Sequence, residues 1–365
     1  MTGATMEALL LTALGEVGNR RVPVPGHPEG DGVLIRVTRA GICGSELEAV
    51  ATKSPRRVPP LIMGHEFAGR LEAVGPQAAA PQPGAPDGAP SGWRVGERVV
   101  PNPLVPCLRC RSCARGLTNA CPNRTLLGLH RDGGHAEWVL CSARQLRRIP
   151  DSLSDEGAAT AEPLAVAVHG VRLLGGAGVL PRSIAVFGAG TIGLMALQAA
   201  RLAGATTTLV LDVDAGRLEI ARRLGATVTL DPRTAEGSGE GLLRVARDLA
   251  GEDGFDGAID AVGRGDTRGA ALPLVRPGGT VVWVGSAENE VPVLGQELLL
   301  GERRIQGAYA YTDEDFDAAL GLLAAGRVEI ASWSKTFPLS EGATVFNRLL
   351  SREESAVKAL LDPAA

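Results

Sequence analysis

Four cysteines lie close together in the first half of this chain of 365 residues. They are separated by two, two and seven residues: Cys107, Cys110, Cys113 and Cys121. Four thiolates at this spacing can converge on one tetrahedral zinc ion and leave no open position, which is typical of a structural site. Two disulfides are the alternative, but disulfides are rare in reducing compartments. The spacing therefore favours a structural zinc.

A second set of metal-ligating residue types precedes this group. Cys43 lies in Gly-Ile-Cys-Gly-Ser, and His65 and Glu66 directly follow Gly64. One sulfur, one imidazole and one carboxylate form the mixed ligand set of a catalytic zinc that keeps one position free. Each residue alone is more often structural, because a lone cysteine is usually a buried small hydrophobe. Their joint occurrence predicts a catalytic metal site.

A glycine motif in the second half of the chain predicts a dinucleotide site. The apolar run 183–187 leads into Gly-Ala-Gly-Thr-Ile-Gly and then into a helical pattern. The first glycine permits a tight turn, the second lets the backbone approach a pyrophosphate, and the third lets the helix pack on the strand. We expect cofactor contacts from five residues of this motif: Gly188, Gly190, Thr191, Ile192 and Gly193.

Asp212 ends the next predicted strand, 19 residues after Gly193. At that spacing a carboxylate accepts hydrogen bonds from the adenosine ribose hydroxyls. The acid favours NAD over NADP, because a 2′-phosphate would meet like charge. Arg217 keeps NADP open, since its side chain could stack on adenine, pair with a 2′-phosphate or lie on a solvated helix face.

Taken together, these motifs resemble those of the zinc-dependent medium-chain alcohol and polyol dehydrogenases, over nearly the whole chain. The resemblance implies an α/β protein with a mostly β, GroES-like catalytic domain and a Rossmann domain with a doubly wound parallel sheet. It implies an enzyme that transfers hydride between a secondary alcohol, a polyol or its ketone and NAD, closest to sorbitol, threonine and butanediol dehydrogenases. It also implies a homodimer or homotetramer.

The same resemblance suggests roles for further residues. Ser45 matches the hydroxyl that carries the alcohol proton toward solvent, and Glu162 falls where polyol-type members place a carboxylate. Glu162 is expected either to ligate zinc directly or to hydrogen-bond a water on the metal, and it could exchange with Glu66. The chain departs from the family at Glu46, where an Asp usually orients the histidine ligand, and at Glu48, where many members have a histidine. Glu48 is either a replacement proton acceptor or an exposed helix residue.

Three other functions are weighed against this one. An NADPH-dependent biosynthetic ketoreductase of the same fold differs only in cofactor and direction. A non-catalytic nucleotide sensor is disfavoured because the mixed ligand set is intact. A zinc hydrolase is disfavoured because the dinucleotide motif is complete.

The elements that must position these residues follow from hydrophobic periodicity. Strands are predicted over 8–12, 32–39, 67–74, 93–100 and 134–139, with a loop over 76–92. From about residue 155 helices alternate with strands, which predicts a parallel doubly wound sheet. The helices are predicted over 155–174, 192–203, 216–224 and 241–250, and the strands over 183–187, 208–211, 227–230, 257–260 and 280–284.

Two domains are expected from this change of pattern. The catalytic domain comprises 1–155 and 306–365, and the nucleotide domain comprises 156–305. The return of the C-terminal stretch to the first domain is implied by the resemblance. The substrate pocket is expected to include the stretches 51–60 and 127–130, whose residues do not reveal the substrate.

Composition limits the possible partners. The 37 basic residues are scattered and outnumbered by 41 acidic ones, for a net charge of −4, so no nucleic-acid partner is expected. No apolar stretch approaches the ~18 residues that a membrane span needs, and the N-terminus lacks a signal-peptide pattern. We therefore expect a cytoplasmic enzyme without a membrane partner, acting on a small-molecule alcohol or ketone.

Overall fold

The structure of the protein is a computed structural model that describes residues 3–80, 92–175 and 181–365. Within them the strands, in chain order, are β1 (Thr5–Ala13), β2 (Glu16–Pro23), β3 (Gly32–Gly41), β4 (Leu61–Ile62), β5 (Glu66–Val74), β6 (Arg98–Pro101), β7 (Leu104–Val105), β8 (Thr125–Leu126), β9 (Trp138–Ser142), β10 (Leu146–Arg148), β11 (Ser183–Phe187), β12 (Thr207–Leu211), β13 (Val228–Leu230), β14 (Phe255–Asp260), β15 (Val275–Trp283), β16 (Arg304–Gly307), β17 (Ser334–Pro338) and β18 (Lys358–Asp362).

The α-helices of the described residues are α1 (Gly44–Ala51), α2 (Pro76–Ala79), α3 (Arg111–Ala114), α4 (Asp155–Ala158), α5 (Ala161–Leu174), α6 (Thr191–Leu202), α7 (Ala215–Arg223), α8 (Gly239–Ala250), α9 (Gly265–Leu274), α10 (Gly295–Leu300), α11 (Asp313–Ala324) and α12 (Gly342–Leu350). None of them is both long enough and apolar enough to span a membrane.

The chain divides into two compact units. The first comprises Met1–Glu162, Leu323–Gly326 and Ile330–Ala365, and the second comprises Pro163–Leu322 and Arg327–Glu329. The domain boundaries were expected at about 155 and 305, whereas the structure divides the chain after Glu162 and after Leu322. The second division falls later because β16 adds to the parallel sheet beside β15, and α11 follows it within the second unit.

The first unit is mostly β. Its largest sheet has the strand order β10-β6-β5-β3-β18-β17, with β9 also paired to β3, and a smaller sheet has the order β2-β1-β4. Strand β18 pairs antiparallel with β3, and β17 pairs parallel with β18. The C-terminal stretch therefore returns to the first unit, as the sequence resemblance implies. Apolar side chains of β3, β5 and β9 form its central core, which includes Val33, Ile35, Phe67 and Val139.

The second unit is built on a parallel sheet of order β13-β12-β11-β14-β15-β16. All five strand pairs are parallel. Four of the five residues of β11 are buried, as expected for a strand covered on both faces. This is the doubly wound order in which ligands bind at the carboxyl ends of the strands, where the order reverses. The predicted α/β class with a doubly wound sheet is confirmed.

Several element predictions need correction. The strand predicted over 93–100 begins only at Arg98, because Gly96, at φ 88°, lies in a turn before it. The strand predicted over 134–139 begins only at Trp138. The helix predicted over 155–174 is two helices, since Pro163 lacks an N–H and its ring would collide with the carbonyl of a continuous preceding turn. Several elements were not predicted, among them β2, α1, α9 and the helices and strands from α10 onward. The loop predicted over 76–92 begins with α2, and residues 81–91 lie outside the described residues.

Candidate metal and dinucleotide sites

Three of the predicted metal ligands converge in the first unit. The Sγ of Cys43, a ring nitrogen of His65 and a carboxylate oxygen of Glu66 all lie within 4.8 Å of one another. Cys43 is the N-cap of α1, just after β3, and Glu66 begins β5 opposite Gly41 of β3. The antiparallel pairing of β3 with β5 therefore brings together ligands from two separate motifs.

The glycines of these motifs make the convergence possible. Gly64 has φ 94°, and a Cβ there would lie 2.5 Å from the ring of His135. A Cβ at Gly41 would lie 2.2 Å from Oε2 of Glu66. Any larger residue at either position would displace a side chain of the site.

Glu46 connects both ligand-bearing segments. Its Oε2 accepts a hydrogen bond from the Cys43 N–H at 3.0 Å, and its Oε1 accepts one from the Gly64 N–H at 2.8 Å. The same Oε1 lies 3.3 Å from Nδ1 of His65. The carboxylate is fully buried. Glu46 thus lies beside the histidine and accepts one main-chain hydrogen bond from each motif.

The charges of this cluster depend on one another. Burial alone raises the pKa of Glu46, but the neighbouring His135 and His65 bring it well below its usual value. Burial alone lowers the pKa of His65, but Cys43 and Glu46 raise it well above its usual value. Before a cation binds, the imidazole therefore favours its protonated form, and a metal would replace that proton.

Lys358 is a residue of the site that the sequence analysis did not assign. Its ammonium group forms an ion pair with Oε2 of Glu66 and donates a hydrogen bond to the Ile42 carbonyl at 3.1 Å. Both charged side chains are 1% exposed. The sequence did contain a signal for this residue, because Lys358 begins strand β18 directly before an apolar run. Lysine is almost never fully buried without a partner, so a lysine in a buried strand predicts an ion pair.

The remaining predicted catalytic residues occupy different positions. The exposed Ser45 donates a hydrogen bond from Oγ to Sγ of Cys43 at 3.3 Å. Glu48 is half-buried on α1, and its main-chain carbonyl accepts bonds from Thr52. Glu162 is buried at the start of α5 and is not a member of the cluster of three ligands. Its expected direct or water-mediated role stays a prediction.

The four clustered cysteines also meet at one point of the first unit. Their sulfurs all lie within 4.8 Å of one another, and none of the four forms a disulfide. Sγ of Cys110 is 3.5 Å from that of Cys113 and 3.8 Å from that of Cys121. A tetrahedral zinc with Zn–S bonds of about 2.3 Å requires sulfurs about 3.8 Å apart. The donor set and its dimensions fit a closed zinc site.

The thiols of this group ionise unequally. The main-chain N–H of Arg109 lowers the pKa of Cys107 to about 6, and that of Cys113 lowers the pKa of Cys110. Loss of hydration, followed by the neighbouring Cys110, raises the pKa of Cys113 to about 12. Four adjacent thiolates repel one another, so full ionisation requires a cation among them.

The glycine motif of the second unit joins β11 to α6. Gly188 has φ 92°, and a Cβ at Gly193 would lie 1.8 Å from the Gly188 carbonyl oxygen. Gly190 is the N-cap of α6 and has no side chain to cap the helix, and a Cβ there would meet nothing within 4 Å among the described residues. Thr191 and Ile192 form the first turn. The loop thus leaves open space at a positive helix N-terminus, as a pyrophosphate requires.

Asp212 holds this loop from the end of β12. Its Oδ2 accepts a hydrogen bond from the Ala189 N–H at 2.6 Å, and its Oδ1 accepts one from the Asp214 N–H at 2.8 Å. The half-buried Arg217 lies in the first turn of α7. The sequence analysis did not single out Arg233, which follows β13 and donates to the Val213 carbonyl at 2.6 Å. Two guanidinium groups therefore belong to the segments that follow β12 and β13.

Comparison with known proteins identifies both units. Residues 29–151 match the alcohol dehydrogenase GroES-like domain, and residues 191–325 match the zinc-binding dehydrogenase domain. The first match confirms the predicted GroES-like domain. The second contains the glycine motif and the strands that follow it.

Similar proteins cover almost the whole chain. D-arabitol-phosphate dehydrogenase of Enterococcus avium is 32% identical over 90% of this chain and 89% of its own length. D-altritol 5-dehydrogenase of Agrobacterium fabrum is 30% identical over 94% and 96%. A Sinorhizobium meliloti 1021 chain, described as a zinc-binding dehydrogenase and solved with NADP bound, superposes with a TM-score of 0.84 at 32% identity, covering 99% of this chain and 100% of that one.

These matches agree with the donor sets and the glycine loop described above. They also confirm the dependence on zinc and a nicotinamide dinucleotide that the sequence analysis expected. The chain therefore belongs to the zinc-dependent medium-chain alcohol and polyol dehydrogenase family, and it is an NAD(P)-dependent oxidoreductase.

Proposed function

We propose that this enzyme interconverts a secondary alcohol of a polyol and the corresponding ketone, with Cys43, His65 and Glu66 holding a catalytic zinc. The observation that carries this proposal is the convergence of the three ligand atoms within 4.8 Å. Oxidation of such an alcohol by NAD(P)⁺ yields the ketone, NAD(P)H and one proton. A zinc ion in an open site lowers the pKa of an oxygen that it binds, as it lowers that of water from about 15.7 to about 7.

The chain's own residues then have three tasks. Glu46 orients His65 and holds both ligand-bearing segments through main-chain N–H groups. Ser45 is exposed and bonded to Cys43, so its hydroxyl can pass the alcohol proton toward solvent. Glu48 follows on the same helix, and we keep it as the proposed acceptor at the end of this route. Glu162 is proposed to act through a water rather than as a direct ligand.

The cofactor is proposed to bind through Gly188, Gly190 and the N-terminus of α6, with Asp212 facing the ribose. A carboxylate at that strand end favours NAD. Arg217 favours a second candidate, NADP, because guanidinium groups bind phosphate well. The Arg233 guanidinium already pairs with Asp231. NADP is bound in the similar chain from Sinorhizobium meliloti. Titration of the protein fluorescence with NADH and with NADPH distinguishes the two cofactors.

We also propose a structural zinc at the four-cysteine group and assembly through the edge of the second unit. Strand β16 ends the parallel sheet, and its outer edge has no partner strand among the described residues. Two leucines of the neighbouring α10, Leu299 and Leu300, are 75% and 80% exposed. An exposed strand edge beside apolar side chains is a typical place for pairing with a second copy. Unbonded thiols fit a cytoplasmic location.

The test of function is a screen of polyols and hydroxyketones with NAD(H) and NADP(H), following the absorbance of the reduced nicotinamide. Wild-type protein should oxidise a polyol. Cys43→Ser and His65→Ala should remove turnover while leaving the fold and the cysteine-bound zinc in place. Turnover that persists after both substitutions would contradict the proposed metal site.

A further inference from the structure

Four basic side chains of the first unit form a group that the proposed chemistry does not use. Arg56 and Arg57 lie between α1 and β4, whereas Arg124 and His130 flank β8. Two stretches that are distant in sequence, 51–60 and 127–130, were expected to line the substrate pocket. We call these four residues the basic cluster.

The charges of three arginines act on His130. Loss of hydration lowers the pKa of His130, and the charges of Arg124, Arg56 and Arg57 lower it further. Nδ1 of His130 accepts a hydrogen bond from the Leu126 N–H at 3.0 Å, so the neutral ring carries its proton on Nε2. The cluster therefore offers one imidazole N–H and the guanidinium groups of Arg56 and Arg57, whereas Arg124 already donates to the Cys121 carbonyl at 2.8 Å.

Arg57 is the buried member of the cluster. It is 6% exposed, and its Nη1 donates a hydrogen bond to the Ser45 carbonyl at 3.3 Å. Its Nε is buried and has no hydrogen-bond partner among the described residues. No ion pair within 4 Å joins Arg56 or Arg57 to a carboxylate in the described part of the chain; Glu46 attracts Arg57 only over a longer distance. A buried guanidinium with an unused donor is costly unless a ligand completes it.

The position of Arg57 connects the cluster to the candidate metal site. Ser45 accepts from Arg57 through its carbonyl and donates to Cys43 through its hydroxyl. Arg57 is therefore joined through Ser45 to a ligand of the candidate metal site. A substrate group that reaches Arg57 should carry negative charge, since guanidinium groups pair with anions.

We infer that Arg57, with the rest of the basic cluster, binds the phosphate of a phosphorylated polyol or of the matching ketose phosphate. This inference rests on the proposed function and narrows its substrate class. A phosphate monoester carries a charge of about −1.5 to −2 at pH 7 and accepts bidentate bonds from guanidinium groups. Neutral polyol hydroxyls would leave the charges of Arg56 and Arg57 without an anion. The named relatives include enzymes for phosphorylated and for free polyols, so their names do not select one substrate class. The basic cluster is the observation that favours the phosphorylated class.

The experiment compares a series of pentitol and hexitol monophosphates with their unphosphorylated parents. Zinc-loaded full-length wild type, Arg57→Gln, Arg57→Lys and the control Arg94→Gln are assayed with the preferred cofactor. Arg94 is an exposed arginine before β6, and its substitution removes the same charge. Inorganic phosphate binding is measured separately by calorimetry, and zinc content is measured for each variant.

The wild type should prefer the phosphate esters. Arg57→Gln should lower the ratio of kcat/KM for an ester to kcat/KM for its parent by about tenfold to a hundredfold, as expected for loss of a charged hydrogen bond. Arg57→Lys should restore part of this ratio, and Arg94→Gln should retain it. Inorganic phosphate should compete with the ester but not with the cofactor, and Arg57→Gln should lose its binding.

Other results would overturn the inference. These are a wild-type preference for free polyols, an equal loss for ester and parent in Arg57→Gln, or a preference for sugar acids over phosphate esters. Competition of inorganic phosphate with the cofactor would assign the cluster to the dinucleotide instead. Absence of turnover with every polyol, polyol phosphate and ketone would overturn the proposed function itself, and the calorimetric phosphate titration would still decide the role of Arg57.

Discussion

At the scale of single residues, the candidate metal site depends on buried charges that hold its ligands in place. Glu46 contacts both ligand-bearing segments, and Lys358 pairs with Glu66 from the other end of the chain. Glu46 lies 3.3 Å from a ring nitrogen of His65, and Lys358 balances the charge of Glu66. Substitution of Glu46 tests how the ligands are oriented, and substitution of Lys358 tests how their charge is balanced.

Glu46→Asp restores the residue type that is usual in the family at this position. The shorter side chain should lose at least one of the bonds to the Cys43 and Gly64 N–H groups, because these lie in different segments. Loss of such a supporting contact costs about 10–100-fold in metal affinity. Zinc release to a chelator should be faster from this site only, with the cysteine-bound zinc as internal reference. Equal release rates in variant and wild type would show that Glu46 does not orient the ligands.

Lys358→Met should destabilise the protein most when the catalytic metal is absent. Glu66 would then be a buried carboxylate that has lost its ion-pair partner, and breaking a buried ion pair costs about 3–5 kcal/mol. Bound zinc supplies positive charge, so the loss should be smaller in the loaded protein. Urea unfolding with and without the catalytic zinc measures the difference. Lys335→Met, which removes a half-exposed lysine from the adjacent β17, is the control and should show no dependence on zinc.

At the scale of elements, polar side chains join segments that apolar packing alone does not position. The four cysteines define a lobe around α3, whose residues are partly exposed. In the second unit, Asp315 caps the start of α11 through Thr312 and contacts α5 through His169 and Arg172.

Cys110→Ser should remove one of two zinc ions per chain and lower the melting temperature. Structural zinc contributes on the order of 10 kcal/mol to the folding of small metal domains, so the lobe should lose its order without it. Elemental analysis and calorimetry provide the measurements. Cys141→Ser is the matched control, because this buried thiol, whose pKa burial raises to about 12, lies outside both ligand sets and should keep both ions. Two zinc ions in Cys110→Ser would refute the assignment of the lobe.

Asp315→Asn should make the free energy of unfolding vary less with pH in the acid range. Burial alone raises the pKa of Asp315, but His169 and Thr312 bring it below its usual value of about 3.9. A lowered pKa in the folded state stabilises above about pH 4, and this contribution is lost as the pH falls through the folded value. The variant should be less stable by roughly 1.5–3 kcal/mol at pH 7, with the difference shrinking below about pH 4. Urea unfolding at several pH values tests this, with the exposed Asp317→Asn as control.

At the scale of the whole molecule, the sheet edge at β16 determines the predicted assembly. Leu300→Glu places a charge on the exposed surface of α10 and should shift the protein toward monomers, because burying an unpaired charge at an interface is unfavourable. Light scattering after size exclusion measures the mass. Leu14→Glu, at a 43% exposed position in the first unit, should leave the assembly unchanged. A monomeric wild type would contradict the proposed interface.

The sequence by itself determined the two donor sets, the glycine loop and the parallel sheet. Those features depend on short-range spacing: the cysteines at 107–121, the Gly64-His65-Glu66 triplet and the motif at 188–193 each carry their chemistry within a few residues. The interruption between α4 and α5 had a local cause too, Pro163, although the periodicity hid it. Strand ends were less certain, because turns before β6 and β9 carry strand-like residue types.

Only the tertiary structure decided which partners support those motifs. Lys358 is 292 residues away from Glu66, and the charge of Arg57 lowers the pKa of His130 from the other side of the zinc-lobe segment in the chain. Such contacts arise from strand pairing and loop packing, which bring residues together irrespective of their separation in the chain, so no local pattern encodes them. The family resemblance placed Glu162 near the metal together with Glu66. The fold brings Glu66 together with Cys43 and His65, and the role of Glu162 stays a prediction.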